Sequence, residues 1–301
     1  MKRLDTYTFG PWAMITGASS GIGKEFARQL AASGLHLVLV ARRLSALEEL
    51  GGELAKTFGI HYRAIGLDLS EENFLKKMEE ATQDLDIGLV VSNAGATLTG
   101  DFLTMDYRVL QQRLRLNVKA HLDVMYHFGQ HLVQRRRGGL LLVASTAGLQ
   151  GIPFSAEYAA AKAYVLSLGE ALHVEFQKVG VHVTVLLPGA TDTPMLLDSG
   201  IDPADLPGIM KPMSPERCVT EGLAALGTNR ATHIAGRMNR IMAALLPRSH
   251  ATRLYGSMTA RVLAKRSPEE VGTEAKGANQ LDALSRNSLG ASAKEERGRV
   301  V

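Results

Sequence analysis

Short runs of Val, Leu, Ile and Ala without polar alternation recur along the chain, and between them lie longer stretches in which apolar residues return every three or four positions. The first pattern is that of strands buried on both faces, the second that of amphipathic helices. Strands are predicted near Trp12 to Thr16, His36 to Ala41, His61 to Leu67, Ile87 to Ser92, Gly139 to Ala144, Val181 to Leu187 and Thr232 to Ala235. Helices are predicted from Gly21 to Ser33, Ser45 to Phe58, Glu71 to Gln83, Met105 to Arg136 in one long stretch, and Ala156 to Val179. This alternation predicts an α/β fold, a doubly wound parallel sheet of about seven strands with helices on both faces. Ligands of such sheets sit beyond the carboxyl ends of the strands, where Gly17, Asn93, Ser145 and Pro188 fall.

A chain of 301 residues with evenly spread apolar content fits one large core. The net charge of +4 is small, and no basic run interleaves with aromatics, which argues against nucleic acid as a partner. Arg135-Arg136-Arg137 reads as a solvated loop before a strand. One cysteine, Cys218, excludes internal disulfides and Cys-rich metal sites and suits a reducing cytoplasm. Met1-Lys2-Arg3-Leu4-Asp5 lacks the apolar core of a signal peptide, and no run of 18 apolar residues predicts a membrane span.

Two features carry chemistry. Trp12 to Thr16 leads directly into Gly17-Ala18-Ser19-Ser20-Gly21-Ile22-Gly23 and then a helical pattern. A strand, a glycine-rich turn and a helix N-terminus make an anion site, because free N–H groups and the helix dipole point at the turn. The spacing G-x-x-x-G-x-G meets the dinucleotide fingerprint in mechanism rather than in letter. Further on, Tyr158 and Lys162 stand one helical turn apart, thirteen residues after Ser145. Positions i and i+4 share a helix face, so an ammonium beside the phenol favours phenolate and tunes the tyrosine as a general acid or base.

Together these residues resemble the classical short-chain dehydrogenase/reductase family. Thr16 to Gly23 is similar to its cofactor motif, Asn93-Ala94-Gly95 to its N-A-G segment, and Asn117, Ser145, Tyr158 and Lys162 to its catalytic tetrad. Pro188-Gly189, with Thr191 and Thr193, resembles the stretch that holds the nicotinamide end. The motifs keep the family's order across about Phe9 to Leu226, and Ser92 is the one departure, where many members carry a second Asn. The resemblance implies a Rossmann-type fold and hydride transfer between a nicotinamide cofactor and a carbonyl or secondary alcohol. It further implies that Lys162 binds the nicotinamide ribose, that Asn117 holds a water in a proton relay, and that Asp68, flanked by Leu69, contacts the adenine. Homodimers or homotetramers through the Ala156 to Val179 helix and the one before it are also implied; Ala159, Ala160, Ala161, Ala163 and Gly169 would let another helix approach closely.

Cofactor choice is read at the end of the second strand. Ala41 stands where an acid would bond the ribose of NAD, and Arg42 follows, a guanidinium suited to the 2'-phosphate of NADP(H). Arg43 either assists or is solvated. Leu149, Ile152, Pro153 and Phe154, with Met195, Leu196 and Leu197, form apolar walls for a substrate or ordinary core. His121, His127 and His131 read as helix-face packing, and no metal site is predicted.

Residues 1–236 thus form the catalytic domain, and residues 237–264 a helical extension. There Met238, Ile241, Met242, Leu245 and Leu246, then Leu254, Met258 and Val262, recur at helical spacing among arginines, with Pro247 between two segments. A basic amphipathic pair of this kind can lie on an anionic membrane surface, cover the substrate pocket or pack against a partner subunit. It resembles the tail of a bacterial subgroup of the family sometimes grouped with very-long-chain 3-oxoacyl-CoA reductases. Residues 265–301 hold no aromatic residue and read as a disordered tail. The reading that follows is an NADP(H)-dependent oxidoreductase, a 3-oxoacyl thioester reductase being one form of it. A nucleotide sensor on the same fold is disfavoured because it would be free to lose Tyr158 or Lys162, and an epimerase or dehydratase because the stretch after the sixth strand is short.

Overall fold

A computed structural model describes residues 4–199 and 211–265. Seven strands, β1 (Trp12–Thr16), β2 (His36–Ala41), β3 (Tyr62–Gly66), β4 (Ile87–Ser92), β5 (Gly138–Val143), β6 (Val181–Leu187) and β7 (Thr232–Ile234), form one sheet in the order β3-β2-β1-β4-β5-β6-β7. All the pairings are parallel, as the continuous apolar runs require of strands covered on both sides. The order reverses between β1 and β4, which opens the crevice where such sheets bind ligands.

The helices are α1 (Thr6–Phe9), α2 (Gly21–Ala32), α3 (Leu44–Phe58), α4 (Phe74–Thr82), α5 (Tyr107–Leu114), α6 (Ala120–Arg135), α7 (Ala156–Gln177), α8 (Pro194–Asp198), α9 (Pro215–Gly227), α10 (Arg237–Leu245) and α11 (Arg248–Lys265). Alternate residues of each strand feed two cores. Ile15, Leu39, Val91 and Leu141 meet Phe26, Leu30 and Leu47 of α2 and α3 and Leu226 of α9 on one face. Met14, Val40, Val90 and Leu142 meet Met78, Val124, Phe128 and Val165 of α4, α6 and α7 on the other. Burial of each such side chain contributes about 1.5–3 kcal/mol.

The single stretch predicted from Met105 to Arg136 is two helices joined by a π turn, Arg115–Lys119, in which the Ala120 N–H reaches Arg115 O. A one-residue bulge of this kind has no signature in apolar spacing, so the periodicity ran through it. The arginine triple is also more tied down than a solvated loop. Arg135 is largely buried and bonds Asp86 and the Gly10 carbonyl, and Arg137 lies 4.8 Å over the Tyr7 ring. The predicted tail beyond Lys265 lies outside the described residues.

Candidate active site

The first wall of the site is the glycine turn between β1 and α2. Gly17 and Gly21 sit at φ +69° and +54°, where a side chain is strained. Gly23 is needed for a different reason: a Cβ there would lie 2.2 Å from the Gly17 carbonyl oxygen. Ser20 caps α2 without a side-chain hydrogen bond, leaving the first N–H groups of the helix directed at the turn. The turn is braced from β4, since Asn93 Nδ2 donates to Thr16 O at 2.9 Å and the N–H groups of Asn93 and Ala94 donate to Thr16 Oγ1 at 2.9 and 3.0 Å. Backbone cradle and helix terminus therefore fit a dinucleotide pyrophosphate.

Farther along the crevice, Gly95 lies between two of the predicted catalytic residues, with its Cβ direction 3.2 Å from Asn117 Oδ1 and 3.3 Å from Lys162 Nζ. Asn117 is wholly buried on the π turn, accepts from Ala96 N–H at 3.0 Å and donates to Ala96 O at 2.9 Å. Lys162 Nζ donates to Val143 O at 2.9 Å and lies 5.8 Å from the Tyr158 ring centroid. Ser145, at the end of β5, takes the Ala147 N–H on Oγ at 3.1 Å and donates to Pro188 O at 3.4 Å. Thus Asn117, Ser145, Tyr158 and Lys162 converge at the carboxyl ends of β4 and β5.

The electrostatics correct one expectation. Burial holds the Tyr158 phenol above its ordinary pKa; its hydrogen bond with Ser145 opposes this, and the charge of Glu157 adds to it. Lys162 Nζ, 5.8 Å from the ring centroid, does not offset the burial. Burial lowers Lys162 itself to about 8, with Glu157 pulling the other way.

The second-strand end places Arg42 and Arg43 in solvent beside the turn, and Arg43 Nη2 donates to Ser19 Oγ at 3.3 Å. Asp68 accepts from the Ser70 N–H at 2.9 Å and its hydroxyl at 2.7 Å, fixing the bend after β3, while Leu69 is buried. Thr191 and Thr193 bond back along the Gly189 stretch, and Thr193 Cγ2 lies 3.1 Å from the Cβ direction of Gly21, so this segment closes against the glycine turn.

Three features escaped the sequence. Both oxygens of Glu157, in the first turn of α7, are enclosed; burial raises its pKa against the opposing Asn117 amide and the Arg113 and Lys162 charges. Ser92 Oγ and His121 Nδ1 are a buried pair at 2.7 Å, and burial, with the Lys162 charge, lowers His121 to about 3. The departure at Ser92 was the available signal for that pair. Asn239 of α10 packs on Gly189, whose Cβ would lie 2.4 Å from Asn239 Nδ2. The extension thus forms part of the site's surroundings: α10 runs beside Thr146–Leu149, and Gly256 of α11 presses on Pro153, 2.8 Å from its Cβ direction.

The comparisons agree with this fold. The short chain dehydrogenase family model matches residues 11–202, and the chain belongs to that family. It is 34% identical over 232 residues to a 7beta-hydroxysteroid dehydrogenase of Clostridium sardiniense, covering 77% of this chain and 88% of the relative. It is 36% identical over 231 residues to a very-long-chain 3-oxoacyl-CoA reductase-like protein of Arabidopsis thaliana, covering 75% and 72%. A solved 7beta-hydroxysteroid dehydrogenase superposes with a TM-score of 0.77 at 30% identity over 84% of this chain and 99% of that one. A short-chain dehydrogenase from Sphingobium yanoikuyae in complex with NADPH superposes with a TM-score of 0.71 at 28% identity, over 86% and 97%. The protein is an oxidoreductase that interconverts a carbonyl and a secondary alcohol, and this reading holds over the nucleotide sensor.

Proposed function

We propose that this chain reduces, with NADPH, a ketone flanked by bulky apolar groups, and runs the reverse oxidation with NADP. The observation that carries the reading is the convergence of Ser145, Tyr158 and Lys162 beside the glycine turn, under a wall made by the C-terminal helices. Gly17, Ser19, Ser20, Gly21, Ile22 and Gly23 would hold the pyrophosphate, Arg42 and Arg43 the 2'-phosphate, Asp68 and Leu69 the adenine, and Asn93, Ala94, Gly95, Pro188, Gly189, Thr191 and Thr193 the nicotinamide half. The bound nicotinamide supplies the hydride.

The chain's own work is then proton handling and orientation. The Ser145 hydroxyl donates to the substrate oxygen, and Tyr158 donates its proton to the same oxygen as negative charge develops there. A raised phenol pKa suits the reductive direction, because it keeps the proton in place at neutral pH. Lys162, beside Gly95 and Asn117, would hold the nicotinamide ribose and return a proton toward Tyr158 from a water held by Asn117. Leu149, Ile152, Pro153 and Phe154, with Met195, Leu196 and Leu197, favour an apolar substrate, α10 lying beside Thr146–Leu149 and α11 on Pro153; the names of the relatives, a hydroxysteroid and a 3-oxoacyl thioester enzyme, support bulk on either side of the carbonyl.

Residues 1–236 would act as the catalytic unit and 237–264 as its specificity element. A homodimer or homotetramer through α6 and α7 is supported by Leu122, Tyr126, Tyr164 and Val174, large apolar residues that these helices leave exposed. Among the described residues no helix is long and apolar enough to cross a membrane, and the one free, buried cysteine accords with a cytoplasmic location. The test is a screen of the purified chain with NADPH against bulky ketones, aldehydes and 3-oxoacyl thioesters, following absorbance of the reduced cofactor. Consumption with bulky ketones or thioesters is expected; no consumption with any carbonyl would overturn the reading.

A further inference from the structure

The segment from Arg237 to Lys265 holds five arginines and one lysine and no acidic residue. Arg240 is spoken for, since it bonds Glu221. Arg237, Arg248, Arg253 and Arg261 are exposed and make no ion pair among the described residues. On the same segment, Met238, Ile241 and Leu245 stand at i, i+3 and i+7 of α10 and are 41%, 38% and 77% exposed, a continuous apolar stripe turned to solvent. The inward residue between them, Asn239, bonds Ala235 O and packs on Gly189, so the helix's orientation is fixed by its other face.

An independent feature lies at the same end of the molecule. The loop after β4 exposes Phe102 at 55% and Leu103 at 93%. It is tied to the active-site wall by the Gly100 N–H donating to Phe154 O at 2.8 Å, next to Pro153, on which α11 rests.

We propose that α10, α11 and the 102–103 loop dock this chain on an anionic lipid surface, bringing the substrate-side walls of the active site to the bilayer. An exposed apolar stripe on a segment whose exposed arginines make no ion pair among the described residues is the arrangement that inserts at a lipid interface while its charges meet headgroup phosphates. A second copy of the chain fits less well, because a two-fold contact would set acid-free, arginine-bearing faces against each other. Nucleic acid would satisfy the arginines and leave Ile241, Leu245 and Leu103 in water. An apolar substrate would enter from the lipid rather than from solution, which deepens the bulky-ketone reading without depending on it for its test.

The experiment is flotation of the full-length chain with phosphatidylcholine vesicles, with and without about one third phosphatidylglycerol, at low and high salt. Binding to the anionic vesicles is expected, weak at high salt and weak on phosphatidylcholine alone. Arg248→Ala with Arg253→Ala should lower partitioning roughly 5-fold per arginine. Ile241→Glu with Leu245→Glu, and separately Leu103→Glu, should lower it at least about 10-fold. NADPH affinity, unchanged in each, reports an intact fold, and the Leu103 variant keeps the test open if the helical pair misfolds. The proposal falls if the wild type does not float with anionic vesicles, or if the variants float as well as wild type. It falls equally if the helical pair of substitutions changes oligomeric mass in solution while vesicle binding persists. Partitioning is read without substrate, so its failure would leave the oxidoreductase reading standing.

Discussion

The glycine turn and the C-terminal helices flank the same end of the sheet, and they are held there by opposite means. The turn is fixed by backbone: glycines at positive φ, a contact that admits no Cβ, and hydrogen bonds from Asn93 to Thr16. The extension is fixed by side chains. Glu221 of α9 gathers the Gly236 N–H at 2.9 Å, His233 at 3.0 Å and Arg240 at 2.9 Å, and so sets the start of α10. Burial would raise this carboxyl, but the Gly236 N–H, His233, Arg217 and Arg240 outweigh it and bring it to about 2. A backbone cradle suits a ligand that is the same in every turnover. A side-chain anchor can be altered one residue at a time, which suits the specificity and docking roles proposed for the extension.

Breaking the cradle should have the largest effect. Gly23→Ala drives a methyl into the Gly17 carbonyl, a backbone atom that cannot step aside, and should weaken NADPH binding by roughly 2–4 kcal/mol, or about 30- to 1,000-fold in Kd. Next in size is cofactor preference. The wild type should bind NADPH about 10- to 150-fold more tightly than NADH, and Ala41→Asp with Arg42→Ala should reverse the order. Paired dissociation constants decide it, and equal wild-type affinities would mean that the arginines serve only Ser19 and solvent.

On the other side of the comparison, Glu221→Gln should cost about 2 kcal/mol at neutral pH and loosen α10. The folded carboxyl is depressed, so its stabilisation is present above the ordinary carboxylate pKa and is lost as pH falls toward about 2; urea-unfolding curves of wild type and variant should converge on acidification. The smallest effect is at Lys162. Its folded pKa, about 8, lies below the unfolded value, so the unfolded chain binds more protons as the medium turns alkaline and folding gains stability. Between about pH 7 and pH 9 wild type should gain about 1 kcal/mol that Lys162→Met does not.

The same division explains what the sequence made legible. Strands buried on both faces leave runs such as His36 to Ala41 that need no tertiary information, and β1, β2, β4 and β6 have the bounds the pattern predicts. Ser145, Tyr158 and Lys162 were legible because short segments carry them. What stayed hidden depends on contacts between distant elements. The π turn under Asn117 is a backbone event that apolar spacing does not record. The enclosure of Glu157, the Ser92–His121 pair and the Asn239 contact each join residues far apart in the chain or bury a charge that composition would assign to water. At Tyr158, helical spacing shows Lys162 one turn away but not the burial that raises the phenol.

The central claim is that Tyr158 delivers the proton in NADPH-dependent carbonyl reduction, and it is tested most directly by Tyr158→Phe. The substitution removes one hydroxyl and leaves the ring packed. With a ketone that the wild type turns over, NADPH consumption should fall about 10²- to 10⁴-fold in kcat, the typical contribution of general acid catalysis, while the NADPH dissociation constant stays within about 2-fold. Turnover within a few-fold of wild type, at unchanged cofactor affinity, would contradict the account.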